Sequence, residues 1–283
     1  LSVMVVPLLL VVVNPVYSLL KDHIGIIILL LSLFLIFREK KKFWAFFVFV
    51  ICGVFTLLVF NVTMKESLFP VFSGMFGVSM LMLSSESSIP KQKEFSFSIE
   101  NKVLKAVPVA VMVGWFCSFM PGMGSSQGAV LGSQVVKLCE KGFMVLVGGL
   151  STVNMVLSLV TFYVLGKARN GAVVNVMKIM ETVSYNQLII FVGVAMVVGG
   201  VSVFLASFLS KRFSKFIVKV NYKKLIYFVI GLIVVLVFVI CGWKGLVILF
   251  FSTCLGLIPQ LKGVSRSQMM GSLLLPVMVW FLL

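Results

Sequence analysis

The sequence predicts an all-α polytopic membrane protein, and three observations carry the prediction. Hydrophobic residues make up 61% of the 283-residue chain and charged residues only 11%, with a mean hydropathy of +1.19. Soluble domains hold roughly 45–50% apolar and about 25% charged residues. A globule of this size in water has no place to hide the excess. The apolar residues also come in runs, about eight to ten of them at roughly 20 residues per span. Finally, the charge is lopsided: 24 Lys and Arg stand against 8 Asp and Glu, a net +16. The basic residues sit mainly in short connections between runs, where the positive-inside rule puts them. They therefore predict a lipid bilayer and no nucleic acid as the partner.

Taken in order, the runs fall at residues 1–20, 24–37, 43–62, 68–83, 103–119, 143–165, 188–210, 225–241, 245–258 and 269–283. Each predicts a helix, because hydrocarbon offers the backbone no water to bond. Runs 43–62, 143–165 and 188–210 span unaided. Runs 24–37 and 245–258 are short, at 1.5 Å per residue against roughly 30 Å of hydrocarbon. Run 68–83 carries Pro70, Gly74 and Gly77, which weaken a helix interior. Short, Gly/Pro-interrupted segments point to the broken helices of transporters. The Gly-rich polar stretch 166–178 predicts an exposed loop or an interfacial helix. The chain opens at Leu1 inside an apolar run with no charged region before it, a poor signal peptide. That opening predicts that the N-terminal part of a longer protein is missing.

Two basic connections allow a parity argument. Residues 38–42 hold four basic residues and one acid; residues 211–224 hold six basic residues and no acid. Both are expected on the cytoplasmic side. Five apolar runs lie between them, and five full crossings would put them on opposite sides. An odd number of those runs must therefore enter and leave by one face. The candidates are 68–83 and 103–133, and the sequence does not choose between them.

The segment with chemical character follows run 103–119. It reads Met120-Pro121-Gly122-Met123-Gly124-Ser125-Ser126-Gln127-Gly128, then Gly132 four residues on. Pro121 has no backbone N–H, and Gly122 and Gly124 accept positive φ. Together they predict a break. Gly124, Gly128 and Gly132, spaced four apart, predict one smooth helix face for close approach of a neighbour. A helix restarting near Gly124 would aim free N–H groups and partial positive charge at a cavity. Ser125, Ser126 and Gln127 add neutral hydrogen-bond donors, a cradle for a carboxylate or another anion. The other reading is a kinked, tightly packed helix with no ligand. Gly124-Ser125-Ser126-Gln127-Gly128 also fits the serine-hydrolase elbow, but that elbow needs a preceding strand and a His–acid pair. The lone histidine is His23, beside Lys21 and Asp22.

The same segment resembles the Pro-Gly-x-Gly signature of the large permease subunit of the tripartite tricarboxylate transporters, particularly its archaeal relatives. Two further stretches fit that family. Leu68-Phe69-Pro70-Val71-Phe72-Ser73-Gly74-Met75-Phe76-Gly77 resembles its Pro/Gly-rich midpoint. Gly256-Leu257-Ile258-Pro259, residues 263–271 and Leu275-Pro276 resemble its C-terminal end. The resemblance implies two related membrane halves, each with a Pro-Gly-x-Gly break, of which one break is visible here. On that basis residues 1–83 are expected to be the C-terminal part of a first half. Residues 84–102 are then a polar connecting loop, and 103–283 the second half with the break. The resemblance also implies a solute-binding protein and a small membrane subunit as partners.

The expected function is transport of a small organic anion, a carboxylate, by alternating access. Its substrate-binding residues are expected to be Pro121, Gly122, Gly124, Ser125, Ser126, Gln127 and Asn154. Asn154 lies with Ser151 and Thr152 in run 143–165; the other reading of Asn154 is a hydrogen bond to a neighbouring helix. A coupling cation held by backbone, Ser, Thr and Asn oxygens fits a membrane portion poor in acids. An intramembrane enzyme is disfavoured by one histidine and no clustered acids. No catalytic residue, metal site or cofactor is expected. The five cysteines, Cys52, Cys117, Cys139, Cys241 and Cys254, show no ligand spacing. A non-transporting or incomplete membrane subunit is the alternative.

Overall fold

The structure is a computed structural model. It describes residues 10, 13, 15, 23–84, 105–119, 124–136, 138–168, 170–217 and 220–282. Among them the regular elements are helical, as the composition demands. They are α1 (Ile24–Phe37), α2 (Lys42–Phe60), α3 (Leu68–Ser84), α4 (Ala106–Phe119), α5 (Ser125–Val135), α6 (Glu140–Leu165), α7 (Gly171–Met180), α8 (Tyr185–Ile217), α9 (Tyr222–Lys262) and α10 (Gly271–Leu282), with a 3₁₀ turn at Arg266–Met270. Helices α2, α6, α8 and α9 are long and apolar enough to cross a membrane. Run 1–20 lies almost wholly outside the described residues. The chain forms two compact units.

One unit takes Leu1–Ile24 and Phe95–Phe208. Its centre is α4, α5 and α6, brought together by small residues. A Cβ added at Gly149 would lie 2.9 Å from that of Ala110, and one at Gly114 would lie 2.8 Å from Val153 Cγ1. Contacts that rise together along both helices mean that α4 and α6 run the same way. Helix α5 runs against both. A Cβ at Gly128 would meet Cys117 Sγ at 3.1 Å and Leu150 Cδ2 at 3.3 Å. One at Gly132 would meet Leu146 Cδ2 at 3.0 Å and Val109 Cγ1 at 3.3 Å. Ala106, Ala110, Ala129, Leu146 and Leu150 are buried between the three helices. The chain thus reverses between Phe119 and Ser125, and α4 and α5 form an antiparallel hairpin. The 166–178 stretch folds back on α6. Gly166 ends α6 at φ 60°, Asn170 caps α7 by accepting from Ala172 N, and Asn170 N donates to Ser158 Oγ at 3.0 Å. Leu159, Phe162, Val173, Leu188 and Val192 then bury α7 and the start of α8 against α6.

The other unit takes Gly25–Glu94 and Leu209–Leu283. Gly242 interrupts α9 at φ 67° and ψ −162°, a backbone state open to glycine alone. The two arms on either side of it clasp α3. Ile233 of the first arm lies opposite Gly77, and Cys241 Sγ reaches Lys65 O at 3.3 Å. In the second arm Ser252 Oγ lies 3.1 Å from Pro70 O, and Gly256 sits on the backbone of Met75. The first arm therefore runs against α3 and the second runs with it. Runs 225–241 and 245–258 are the apolar parts of these arms. The second extends past its apolar run to Lys262, so it is not short.

Helix α3 corrects the expectation of a weakened segment. Pro70 falls in its first turn, where the N–H has no intrahelical acceptor to lose. Gly74 and Gly77 are contact points rather than breaks, and a π-helical turn over Ser73–Val78 keeps the helix continuous. Around this core, Gly53 and Gly271 let α10 run beside α2, with a Cβ at Gly53 lying 2.9 Å from Gly271 O. Ser32 of α1 reaches Met278 Sδ, and Gln268 Nε2 donates to Leu35 O at 3.1 Å. Lys41 Nζ donates to the Lys262 carbonyl at 2.8 Å, while Lys262 Nζ sits 4.5 Å from the centre of the Trp44 ring. The 38–42 connection and the end of α9 thus share one end of this unit.

Candidate functional site

Of the expected site residues, the structure describes Gly124 and Ser125 at the start of α5 and Asn154 on α6. Pro121 and Gly122 lie outside the described residues. On either side of them α4 ends at Phe119 and α5 opens at Ser125. The first backbone bond of α5 runs from Gly128 N to Gly124 O at 3.2 Å. The amides of residues 125–127 belong to the first turn of α5, where a helix offers no intrahelical acceptor. Gly124 and Ser125 are half-buried. Ser126 and Gln127 lie in the first turn of α5, and their side chains fall outside what the structure describes.

Asn154 comes to the same place from α6. It is half-buried, and its Oδ1 lies 3.5 Å from the hydroxyl of Ser118. Ser118 is buried in the last turn of α4 and donates to Gly114 O at 2.7 Å. Sequence reading missed Ser118. Its signal was there, since it is the lone hydroxyl in run 103–119, beside the break. Ser151 and Thr152 do not join the site. Both are exposed, and their hydroxyls bond Val147 O and Gly148 O of their own helix.

The electrostatics of the hairpin are simple. Residues 106–136 contain no Asp, Glu, Lys or Arg. The nearest basic residues in sequence are Lys102 and Lys105 before it and Lys137 and Lys141 after it. Because the hairpin reverses, Lys105 and Lys141 both belong to its open end. What the tip offers a solute is therefore hydroxyl and amide groups with the positive end of the α5 dipole, on a segment, residues 106–136, without a charged residue. That set suits an anion and has no acid to repel one. The hydrolase elbow calls for a preceding strand, and the described element that precedes Gly124 is the helix α4, which ends at Phe119. Among the described residues no group of three or more His, Cys, Asp or Glu comes together.

Residues 1–271 match the tripartite tricarboxylate transporter TctA family, so the chain belongs to that family. No curated protein and no solved structure matches it. The chain is a multi-pass membrane subunit of a transport system.

Proposed function

We propose that this subunit carries a small organic anion, a carboxylate, across the membrane by alternating access, and that the α4–α5 tip binds it. The observation behind this reading is the reversal of α4 into α5. At 1.5 Å per residue, α4 reaches about 21 Å and α5 about 16 Å. Both fall short of roughly 30 Å of hydrocarbon, so a hairpin that opens at one surface ends its tip inside the bilayer. Unwound backbone at that depth is tolerated where it lines a cavity or lies within protein. The carboxylate is taken up by the amides of the α5 N-terminus, with the hydroxyls of Ser125 and Ser126 and the amide of Gln127. Asn154 and Ser118 close the site from α6 and α4. Pro121 and Gly122 stay in the proposed site on the sequence reading, a proline without an N–H and a glycine that accepts positive φ. Alternating access then exposes the tip to either side in turn. A solute-binding protein delivers the anion, a small membrane subunit completes the complex, and a cation drives the cycle.

The test is uptake of labelled di- and tricarboxylates in liposomes holding the subunit with its two partners. Ser125→Ala with Ser126→Ala spares the helix, because alanine favours it. Losing even one hydrogen bond to a charged group costs about 1.5–3 kcal/mol, so uptake at low substrate should fall at least roughly tenfold to a hundredfold. Unchanged uptake with unchanged expression would return the segment to a purely structural hairpin.

A further inference from the structure

Helix α8 is longer than its membrane task. Its 33 residues, Tyr185–Ile217, reach about 50 Å, where roughly 30 Å would span the hydrocarbon. Buried side chains occur at Leu188 and Val192, and none is buried from Gly193 onward. The excess length is the basic end that the sequence placed in a connection. There the helix divides by face. Lys211, Lys215 and Arg212 project within one arc of about 100° on the wheel, and Phe216, Phe213 and Ile217 within the neighbouring one, with Phe216 next to Arg212. Phe213 and Phe216 are 60% and 62% exposed, with ring centres 6.3 Å apart.

The next helix adds to the same charge. Asn221 caps α9 by accepting from Lys223 N at 3.2 Å, which sets Tyr222, Lys223 and Lys224 in its first turn. Cations there oppose the helix dipole, so helix stability does not explain them. Both lysines are exposed. No acid occurs anywhere from residue 182 to residue 283.

We propose that the C-terminal turns of α8 and the first turn of α9 form a binding surface for anionic lipid headgroups. The lysines and arginine meet the phosphates and Phe213, Phe216 and Tyr222 enter the acyl boundary. A soluble polyanion would use the cations alone and leave the two phenyl rings in water. A lipid uses both faces. The surface is independent of the substrate reading and does not depend on what the hairpin tip binds.

The probe is phosphatidylglycerol against phosphatidylcholine, added to the detergent-solubilised full chain and counted by native mass spectrometry. A basic residue near an anionic surface contributes about fivefold in affinity. The wild type should retain phosphatidylglycerol in preference. Lys211→Ala, Arg212→Ala and Lys215→Ala together should weaken that retention about a hundredfold, and Lys211→Arg with Lys215→Arg should keep it. Phe213→Ser with Phe216→Ser should weaken both lipids while leaving the preference. If the triple variant does not fold, the single alanine variants carry the test at about fivefold each. An unchanged ratio of the two lipids in the alanine variants overturns the proposal. So does displacement of phosphatidylglycerol by millimolar inorganic phosphate, which would mark a site for free anions.

Discussion

Each unit of this protein contains a pair of helices that turns back on itself, and the two pairs are built for different depths. In α9 the arms on either side of Gly242 hold 20 residues each, or about 30 Å. Each is long enough for a full crossing, a length that suits a turn at a surface. Lys244 follows it, and Lys65 and Glu66 lie beside it through Cys241. In the α4–α5 pair the arms hold 14 and 11 residues, the tip carries no charge, and the charges gather at the open end. Length and the place of the charges distinguish a re-entrant hairpin from two crossings. A turn at the surface is solvated by water, whereas one inside the bilayer needs protein groups or a solute for its free amides.

The largest effect that this contrast predicts is all-or-none labelling. In a background without the five native cysteines, Lys105→Cys and Leu138→Cys should react from the same side of the membrane. Lys244→Cys should react from the side opposite to Asn221→Cys and Gly263→Cys. With the hairpin returning to its own side, four crossings separate residues 38–42 from 211–224. Both connections then face the cytoplasm, and α3 is one of the crossings. Opposite labelling of Lys105→Cys and Leu138→Cys would make α4 and α5 successive parts of one crossing and move the tip away from any cavity.

Next come the glycines. Gly256 lies against backbone of α3, at 2.8 Å from Met75 Cα for an added Cβ, and backbone has no rotamer to yield. Gly256→Leu should cost more than about 3 kcal/mol, beyond the usual range of overpacking. Gly128 faces side chains, Cys117 Sγ and Leu150, which can shift. Gly128→Leu should cost roughly 1–3 kcal/mol. Gly231 has nothing within 4 Å of an added Cβ, and Gly231→Leu should leave stability within about 0.5 kcal/mol of the wild type. Melting temperatures in one detergent rank the three. Equal losses at Gly128 and Gly231 would mean that the hairpin face meets lipid rather than α6.

Much of this was legible in the sequence and some was not, for reasons that particular residues show. The helices themselves and the break at Pro121–Gly124 follow from hydropathy and from two residue types with special backbones. The reversal after the break does not. It depends on Gly149 meeting Ala110 and Gly128 meeting Leu150, pairs that no local periodicity encodes. Pro70 misled because a proline's effect depends on its distance from the helix start, and run 68–83 did not reveal that it stood in the first turn. Gly242 looked like a gap between two runs, and a straight continuation would have looked the same. Asn154 stood out as a lone amide in an apolar run, but its neighbour Ser118 lies 36 residues away.

That pair gives the smallest effect and the finest distinction. Asn154 and Ser118 meet at 3.5 Å, a long contact, and interhelical hydrogen bonds in membranes average about 0.6 kcal/mol. Ser118 keeps its bond to Gly114 O whether or not Asn154 is there. Asn154→Ala should therefore lower stability by about 0.6 kcal/mol or less, and Ser118→Ala by a similar amount. Packing alone predicts that uptake falls no further than stability does. If Asn154 closes the site at the hairpin tip, its amide bonds the carboxylate, and uptake at low substrate should fall about tenfold or more. Ser118 lies deeper and keeps its backbone bond, so its alanine variant should lose less. The comparison is read as uptake per folded protein, with Thr152→Ala as a reference from the exposed side of the same helix. Three equal variants would leave Asn154 as a link between helices and remove it from the site.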